Sequence, residues 1–128
     1  MIGILGGMGT QAGLDFCNKL SMLNRGKIDQ KYPLFILYNK SNIPGRPENL
    51  HKYNKVLKSL IKGCLLLQKN KCKFIVIPCN TAHHWYDDLQ RQIKIPIISM
   101  PKEVYLHAKN SCKKKNKNWN SCYRRNIK

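Results

Sequence analysis

Cys79 lies at a position where a thiol could act as a base or a nucleophile. It follows the apolar run at residues 74–77, which predicts a buried strand, and it precedes Asn80 and Thr81, either of which can cap a following helix. The unpaired amides and the dipole of that helix would point toward the sulfur and favour the thiolate, which is a usable base or nucleophile. Cysteine is also a common inert core residue. We favour that second interpretation for Cys17, Cys64 and Cys72.

Two histidines follow one turn later. His83 and His84 suggest a cysteine–histidine hydrolase, although the sequence does not show that either imidazole reaches Cys79. A surface or packing role is the alternative for at least one of them. The same helix carries Asp87 and Asp88, but no third ligand completes a metal-binding pattern, and the six cysteines show no CxxC spacing. We therefore predict reduced thiols and no metal site.

Two loops could bind a charged ligand. The segment GGMGTQAG after the first apolar run resembles a phosphate-binding turn, yet it lacks the lysine of a P-loop and the GxGxxG spacing of a dinucleotide fold. Backbone amides at a helix start can equally hold a carboxylate, and a tight turn that only glycine permits is the simpler alternative. Arg46, in the loop IPGR, could clamp a carboxylate through two hydrogen bonds, or it is a solvent-exposed loop residue.

Apolar runs that alternate with helical patterns must position these residues. Short runs predict strands at residues 1–5, 33–38, 74–77 and 96–99, and the 3.6-residue period predicts helices at 14–23, 48–70 and 81–93, with another helix after Pro101. This order predicts an α/β fold, a single parallel-sheet domain with flanking helices and right-handed crossovers. Functional residues should then lie where strands end and helices begin. The expected apolar face of the first helix comprises Leu14, Phe16, Cys17, Leu20 and Leu23.

Composition limits the function classes. The chain has 128 residues, which is enough for one modest domain, and its net charge of +18 suggests a module that binds nucleic acid or acidic membranes. Eight of its lysines and arginines lie in residues 109–128, which contain no acid, so much of the charge belongs to a tail. No apolar stretch reaches the length of a membrane span, and the start lacks a basic leader. We expect a cytoplasmic protein with neither a membrane partner nor a specific nucleic-acid partner.

Three segments in the order IGILGGMG, IPGR and PCNTAHHW resemble the aspartate/glutamate racemase superfamily, and its aspartate racemase branch in particular. The resemblance covers residues 1–108 and implies that they form the N-terminal one of two similar α/β domains. It also implies racemisation of an amino acid, aspartate or glutamate, without a cofactor. One cysteine would remove the α-proton, and a second cysteine, from the other domain, would return a proton on the opposite face.

The resemblance implies roles for individual residues. Cys79 looks like the first catalytic base, and Arg46 looks like the arginine that selects an acidic side chain. Thr10 stands where the family usually has proline. The residues that would bind the substrate are Met8, Thr10, Gln11, Arg46, Asn80 and Thr81.

The C-terminal part departs from this pattern. Residues 109–128 have no apolar periodicity, so we expect no packed structure there, and the GCTE-like motif that carries the family's second cysteine does not occur in the sequence. We therefore expect this chain alone to be inactive. The alternatives are a catalytically dead ligand-binding remnant and, less favoured, a basic nucleic-acid-binding module. The face meant for a second domain would expose apolar surface and favour homo-oligomers.

The codons of the tail are compatible with a frameshift. Trp119 is encoded only by TGG and the codon of Asn120 begins with A, so a shift of one nucleotide produces GGA, a glycine codon. A-rich codon choices around it yield KIGILATEGTL, which resembles the strand and loop that open the second racemase domain. The lysines at 113–115 imply a long run of A, where slippage or a sequencing error can arise. We expect residues from about Lys115 onward to be out-of-frame translation.

Overall fold

The computed structural model describes residues 1–45 and 53–114. Within these ranges four strands alternate with four helices. The elements are β1 (Ile2–Gly6), α1 (Thr10–Leu23), β2 (Phe35–Asn39), α2 (Tyr53–Lys69), β3 (Phe74–Val76), α3 (Tyr86–Gln92), β4 (Ile97–Ile98) and α4 (Met100–Lys114), with 3-10 turns at Asp29–Lys31 and Thr81–Trp85. The predicted second helix starts at residue 48, so its first turn lies outside the described residues.

The four strands form one parallel sheet in the order β2-β1-β3-β4. Ile4 on β1 is level with Leu37 on β2 and with Val76 on β3, and Ile75 is level with Ile97 on β4. Parallel neighbours need crossover connections, which the helices supply. The predicted α/β class and parallel sheet are confirmed.

The two faces of the sheet are covered by different helices. Leu5 and Gly6 are successive residues of β1, so they face opposite sides of the sheet. Leu5 belongs to the main buried cluster, whereas Gly6 faces α1, because a Cβ placed on Gly13 of that helix would lie 3.4 Å from the Gly6 Cα. Besides Leu5, the buried cluster includes residues of α2, α3, β3 and β4 and of the segments that flank α3: Val56, Leu60, Cys64, Leu67, Ile75, Trp85, Leu89, Ile93 and Ile97.

The apolar face expected of α1 is wrong in part. Leu14 is 47% exposed and Leu23 is 84% exposed, and Gly13 is the buried residue of this helix. The reason is the close approach of α1 to β1, because a helix that rests on the sheet through a glycine buries only a narrow strip of its surface. Phe16, Cys17 and Leu20 are half-buried beside that strip.

The single helix predicted at residues 81–93 is also wrong, since the structure divides it in two. Thr81–Trp85 is a 3-10 turn, and the regular helix α3 begins only at Tyr86. In a 3-10 turn, side chains three positions apart lie above one another. Ala82 and Trp85 are three apart and both are buried, so the tighter turn directs both of them into the core.

The outer surfaces of the long helices differ in polarity. The lysines of α2 are exposed, which confirms that they form its solvated face: Lys55, Lys58, Lys62 and Lys69. On α4, which continues past residue 108, the side chains of Val104, Tyr105 and Leu106 are exposed apolar groups. None of the helices in the described ranges has the length and apolarity needed to cross a membrane.

Substitution of Gly7 by alanine should destabilise the fold strongly. Gly7 has a φ of +95°, and a Cβ there would lie 2.3 Å from the backbone carbonyl carbon of Lys40. Left-handed strain together with overpacking should lower the free energy of unfolding by about 2 kcal/mol or more. Urea denaturation measures this loss. Gly9→Ala is the matched control, because a Cβ at Gly9 meets nothing within 4 Å. Equal stability of the two variants would contradict the packing at Gly7.

Candidate functional site

The strand order creates one place where the connections diverge. The chain leaves β1 toward β2 on one side and leaves β3 toward β4 on the other, although β1 and β3 are adjacent. Because parallel crossovers are right-handed, the two connections lie on opposite faces of the sheet. Ligands of open α/β sheets bind at such a switch point, outside the carboxyl ends of the strands. We call the residues that follow the two strands here, 7–11 and 78–81, the switch-point edge.

Cys79 lies on this edge. It is half-buried and packs against the main core cluster, and its backbone N–H donates a hydrogen bond of 2.8 Å to the Ile77 carbonyl. The tight turn after β3 therefore holds Cys79 directly beyond the sheet. Part of the residue remains in contact with solvent.

The other described thiols sit in environments that keep them neutral. Cys64 is fully buried on α2, and burial raises the pKa of its thiol to about 12. Burial also raises the pKa of the Cys17 and Cys72 thiols. A neutral thiol is a poor base, so these environments suit the structural role expected for all three.

The glycine loop forms the β1 side of the switch-point edge. Gly9 precedes α1 in an extended conformation and has no side chain with which to cap the first-turn amides of that helix. Such amides can receive hydrogen-bond acceptors of a ligand. Gln11 is exposed on that first turn, whereas Met8 is buried in the core cluster, where it anchors the loop.

A residue of β2 that the sequence analysis missed supports this loop. The Asn39 side chain donates a hydrogen bond of 3.2 Å to the Thr10 hydroxyl. Asn39 is level with Gly6, so the hydrogen bond joins the end of β2 to the start of α1. A polar residue at the end of an apolar strand was the only signal in the sequence.

The segment after Cys79 differs from the expected capped helix. Asn80 has helical backbone angles and makes no side-chain cap hydrogen bond, and Thr81 begins a 3-10 turn of five residues. The dipole of a full α-helix therefore does not begin at Cys79, and the capping prediction for this position is wrong. Asn80 and Thr81 are both exposed on the switch-point edge, where their side chains can meet a ligand.

The His83 ring contacts the backbone of Cys79. Its Nδ1 lies 2.9 Å from the Cys79 carbonyl oxygen, and its Nε2 lies 3.1 Å from the Met100 nitrogen. Both ring nitrogens thus have backbone partners, so no ring nitrogen is left to accept a proton from the thiol. The structure contradicts a cysteine–histidine pair through His83. His84 is exposed and meets the Trp85 ring edge to face, with centroids 5.0 Å apart.

Arg46 lies outside the described residues. The loop that leads to it is anchored, since Ile43 is buried and its N–H donates a hydrogen bond of 3.3 Å to the Lys40 carbonyl. Within the described residues, no group of three or more His, Cys, Asp or Glu side chains could hold a metal ion.

The model of the Asp/Glu/hydantoin racemase family matches residues 5–117. The chain belongs to this family. The predicted resemblance to the aspartate/glutamate racemase superfamily is thus confirmed, and residues 7–11 and 78–81 of the switch-point edge lie within the matched range.

This chain is similar to individual racemases and to racemase homologues. RacX, the broad specificity amino-acid racemase of Bacillus subtilis, is 30% identical over 121 residues, which are 89% of this chain and 52% of that protein. A crystallised aspartate racemase homologue from Pyrococcus horikoshii superposes with a TM-score of 0.73 at 27% identity, covering 90% of this chain and 49% of its own. The aspartate racemase of Picrophilus torridus superposes with a TM-score of 0.68 at 31% identity, covering 77% of this chain and 42% of its own. The chain spans about half the length of these relatives.

The buried Cys64 thiol should make stability depend on pH in the alkaline range. Its pKa rises from 9.0 in the unfolded chain to about 12 in the fold, so its contribution to stability is complete below pH 9 and is lost as pH rises toward 12. Between those values the wild type should lose stability faster than Cys64→Ala, by at most about 1.4 kcal/mol per pH unit, the value for one proton.

Urea denaturation at several pH values measures both slopes. The packing lost in Cys64→Ala lowers stability by the same amount at every pH, so a difference between the two slopes reports the thiol. Parallel curves for the two proteins between pH 9 and pH 11 would contradict the neutral buried thiol.

Proposed function

We propose that this chain supplies one half of a cofactor-independent amino-acid racemase site, with aspartate or glutamate as substrate and Cys79 as one of two thiol bases. The observation that carries the proposal is the position of Cys79, half-buried at the switch-point edge of a racemase fold. Of the other described thiols, Cys17 and Cys64 lie within helices and Cys72 is buried in the core, so none of these three lies at the switch-point edge. Among the described cysteines, Cys79 is therefore the best candidate for a base.

The chemistry explains why the base needs this location. The α-proton of an amino acid is very weakly acidic, so the base must lie close to it and be partly removed from water. A thiol that packs against the core and directly precedes the exposed Asn80 and Thr81 is placed to meet this demand. Inversion needs a second group, which donates a proton on the opposite face of the carbon. Cys79 supplies one face only.

The substrate would be held by its carboxylates. The first-turn amides of α1, with Thr10 and Gln11, offer hydrogen-bond donors on the β1 side, and Asn80 and Thr81 offer donors on the β3 side. In this proposal Arg46 pairs with the side-chain carboxylate and so selects acidic amino acids. Met8 holds the loop in place from the core.

With one thiol at the edge, the chain alone should exchange the α-proton without inverting the carbon at a useful rate. In D2O, the purified full chain should slowly replace the α-proton of L-aspartate by deuterium while the product stays L. Cys79→Ala should reduce this exchange about 100-fold or more, which is the usual contribution of a general base. Proton NMR measures the exchange, and chiral chromatography measures the inversion.

The matched control is Cys17→Ala, which removes another half-buried thiol and should leave the exchange unchanged. Rapid inversion by the chain alone would contradict the single-base proposal. Exchange that persists in Cys79→Ala would contradict the role of Cys79.

A further inference from the structure

The His83 imidazole joins two elements that are separate in the sequence. On one side Nδ1 lies 2.9 Å from the carbonyl oxygen of Cys79, directly after β3. On the other side Nε2 lies 3.1 Å from the backbone nitrogen of Met100, the first residue of α4. One ring therefore bridges the end of β3 and the start of the helix that follows β4.

The chemistry of the two partners determines the tautomer. A carbonyl oxygen only accepts hydrogen bonds, so Nδ1 must carry the proton and donate it. A backbone N–H only donates, so Nε2 must offer its lone pair to Met100. An imidazole that satisfies both partners is neutral and protonated on Nδ1.

Met100 gains a partner that its own helix cannot supply. The first amides of an α-helix have no intrahelical acceptor, and a side chain usually provides one. The Nε2 atom of His83 fills this role for Met100. The start of α4 is thus tied to the turn that carries Cys79.

The surroundings of His83 hold the ring in place. The backbone N–H of His83 donates a hydrogen bond of 3.1 Å to the Asn80 carbonyl, which forms the first hydrogen bond of the 3-10 turn. The ring stacks on Tyr86 with centroids 6.2 Å apart and planes 12° apart. The Tyr86 hydroxyl in turn donates to the Ile97 carbonyl of β4 at 3.1 Å. Both aromatic rings thus connect the segment after β3 to β4 or α4.

We propose that His83 is a positioning residue for Cys79: a neutral, Nδ1-protonated imidazole that fixes the Cys79 carbonyl and couples it to the start of α4. The proposal rests on the role of Cys79 in the proposed function and deepens it. His83 does not exchange protons with the substrate. It restricts the backbone from which the Cys79 thiol projects, so the Cβ about which the thiol rotates keeps a constant position at the switch-point edge.

Two substitutions separate the two hydrogen bonds. His83→Asn places an amide N–H near the position of Nδ1, so it retains the donor to Cys79 and loses the acceptor for Met100. His83→Gln places an amide oxygen near the position of Nε2, so it retains the acceptor and loses the donor. His84→Asn is the matched control, because it changes the neighbouring histidine, whose ring meets Trp85 instead.

Three measurements on the full chain use no amino-acid substrate. Nitrogen-15 NMR of the wild-type histidines should find the His83 proton on Nδ1. Alkylation by iodoacetamide, followed by peptide mapping, reports the Cys79 thiol, and hydrogen exchange reports the Met100 amide. His83→Gln should alkylate at Cys79 about threefold faster or more, and His83→Asn should exchange the Met100 amide about threefold faster or more, each being the effect of one lost hydrogen bond.

Exchange of the Met100 amide in His83→Gln and alkylation of Cys79 in His83→Asn should stay close to the wild type. Both rates should also stay close to the wild type in His84→Asn. A proton on Nε2 or a doubly protonated ring at pH 8 would overturn the proposal, even if no variant folds. The proposal would also be overturned if His83→Asn and His83→Gln changed Cys79 alkylation and Met100 amide exchange equally. Failure of the proposed racemase function would appear in the deuterium exchange experiment and would leave these three measurements unchanged.

Discussion

The site depends on the divergence of two connections from adjacent parallel strands. Since β1 and β3 are neighbours while their helices cover opposite faces, the residues that follow them are not buried under one helix. Gly7 makes this arrangement possible on the β1 side, because only glycine can pass so close to the Lys40 backbone with a φ of +95°. Cys79 occupies the β3 side. The same geometry brings the residues that follow β1 and β3 to one edge of the sheet.

Burial separates two of the described thiols, Cys64 and Cys79. Cys64 lies inside the core with its pKa raised to about 12, so it is a packing residue. Cys79 touches the same core from the edge and remains half-exposed. The same residue type thus lies in two different environments, which position relative to the sheet determines. The His83 bridge adds a connection from this edge to α4, whose Val104 and Tyr105 side chains extend as exposed apolar surface.

Local patterns in the sequence were sufficient for the parallel sheet, for the solvated lysines of α2 and for the place of Cys79 after a strand. They were insufficient where a distant residue decides the local structure. Apolar spacing could not show that α1 approaches the sheet through Gly13 and leaves Leu23 exposed. The helical period at 81–93 could not distinguish a 3-10 turn from an α-helix, and the partner of His83 lies seventeen positions away, at Met100. Sites formed by long-range contacts are not encoded in any one segment.

Titration of the nitrogen-15-labelled full chain with aspartate tests the central claim most directly, because it locates the ligand residue by residue. The account predicts saturable amide shifts at residues 7–12 and 79–82, the two sides of the switch-point edge. These shifts should weaken in Arg46→Ala and persist in Arg25→Ala, a control at an exposed arginine beyond the far end of α1. Shifts confined to the lysine face of α2, or no saturable shift at either side of the edge, would contradict it.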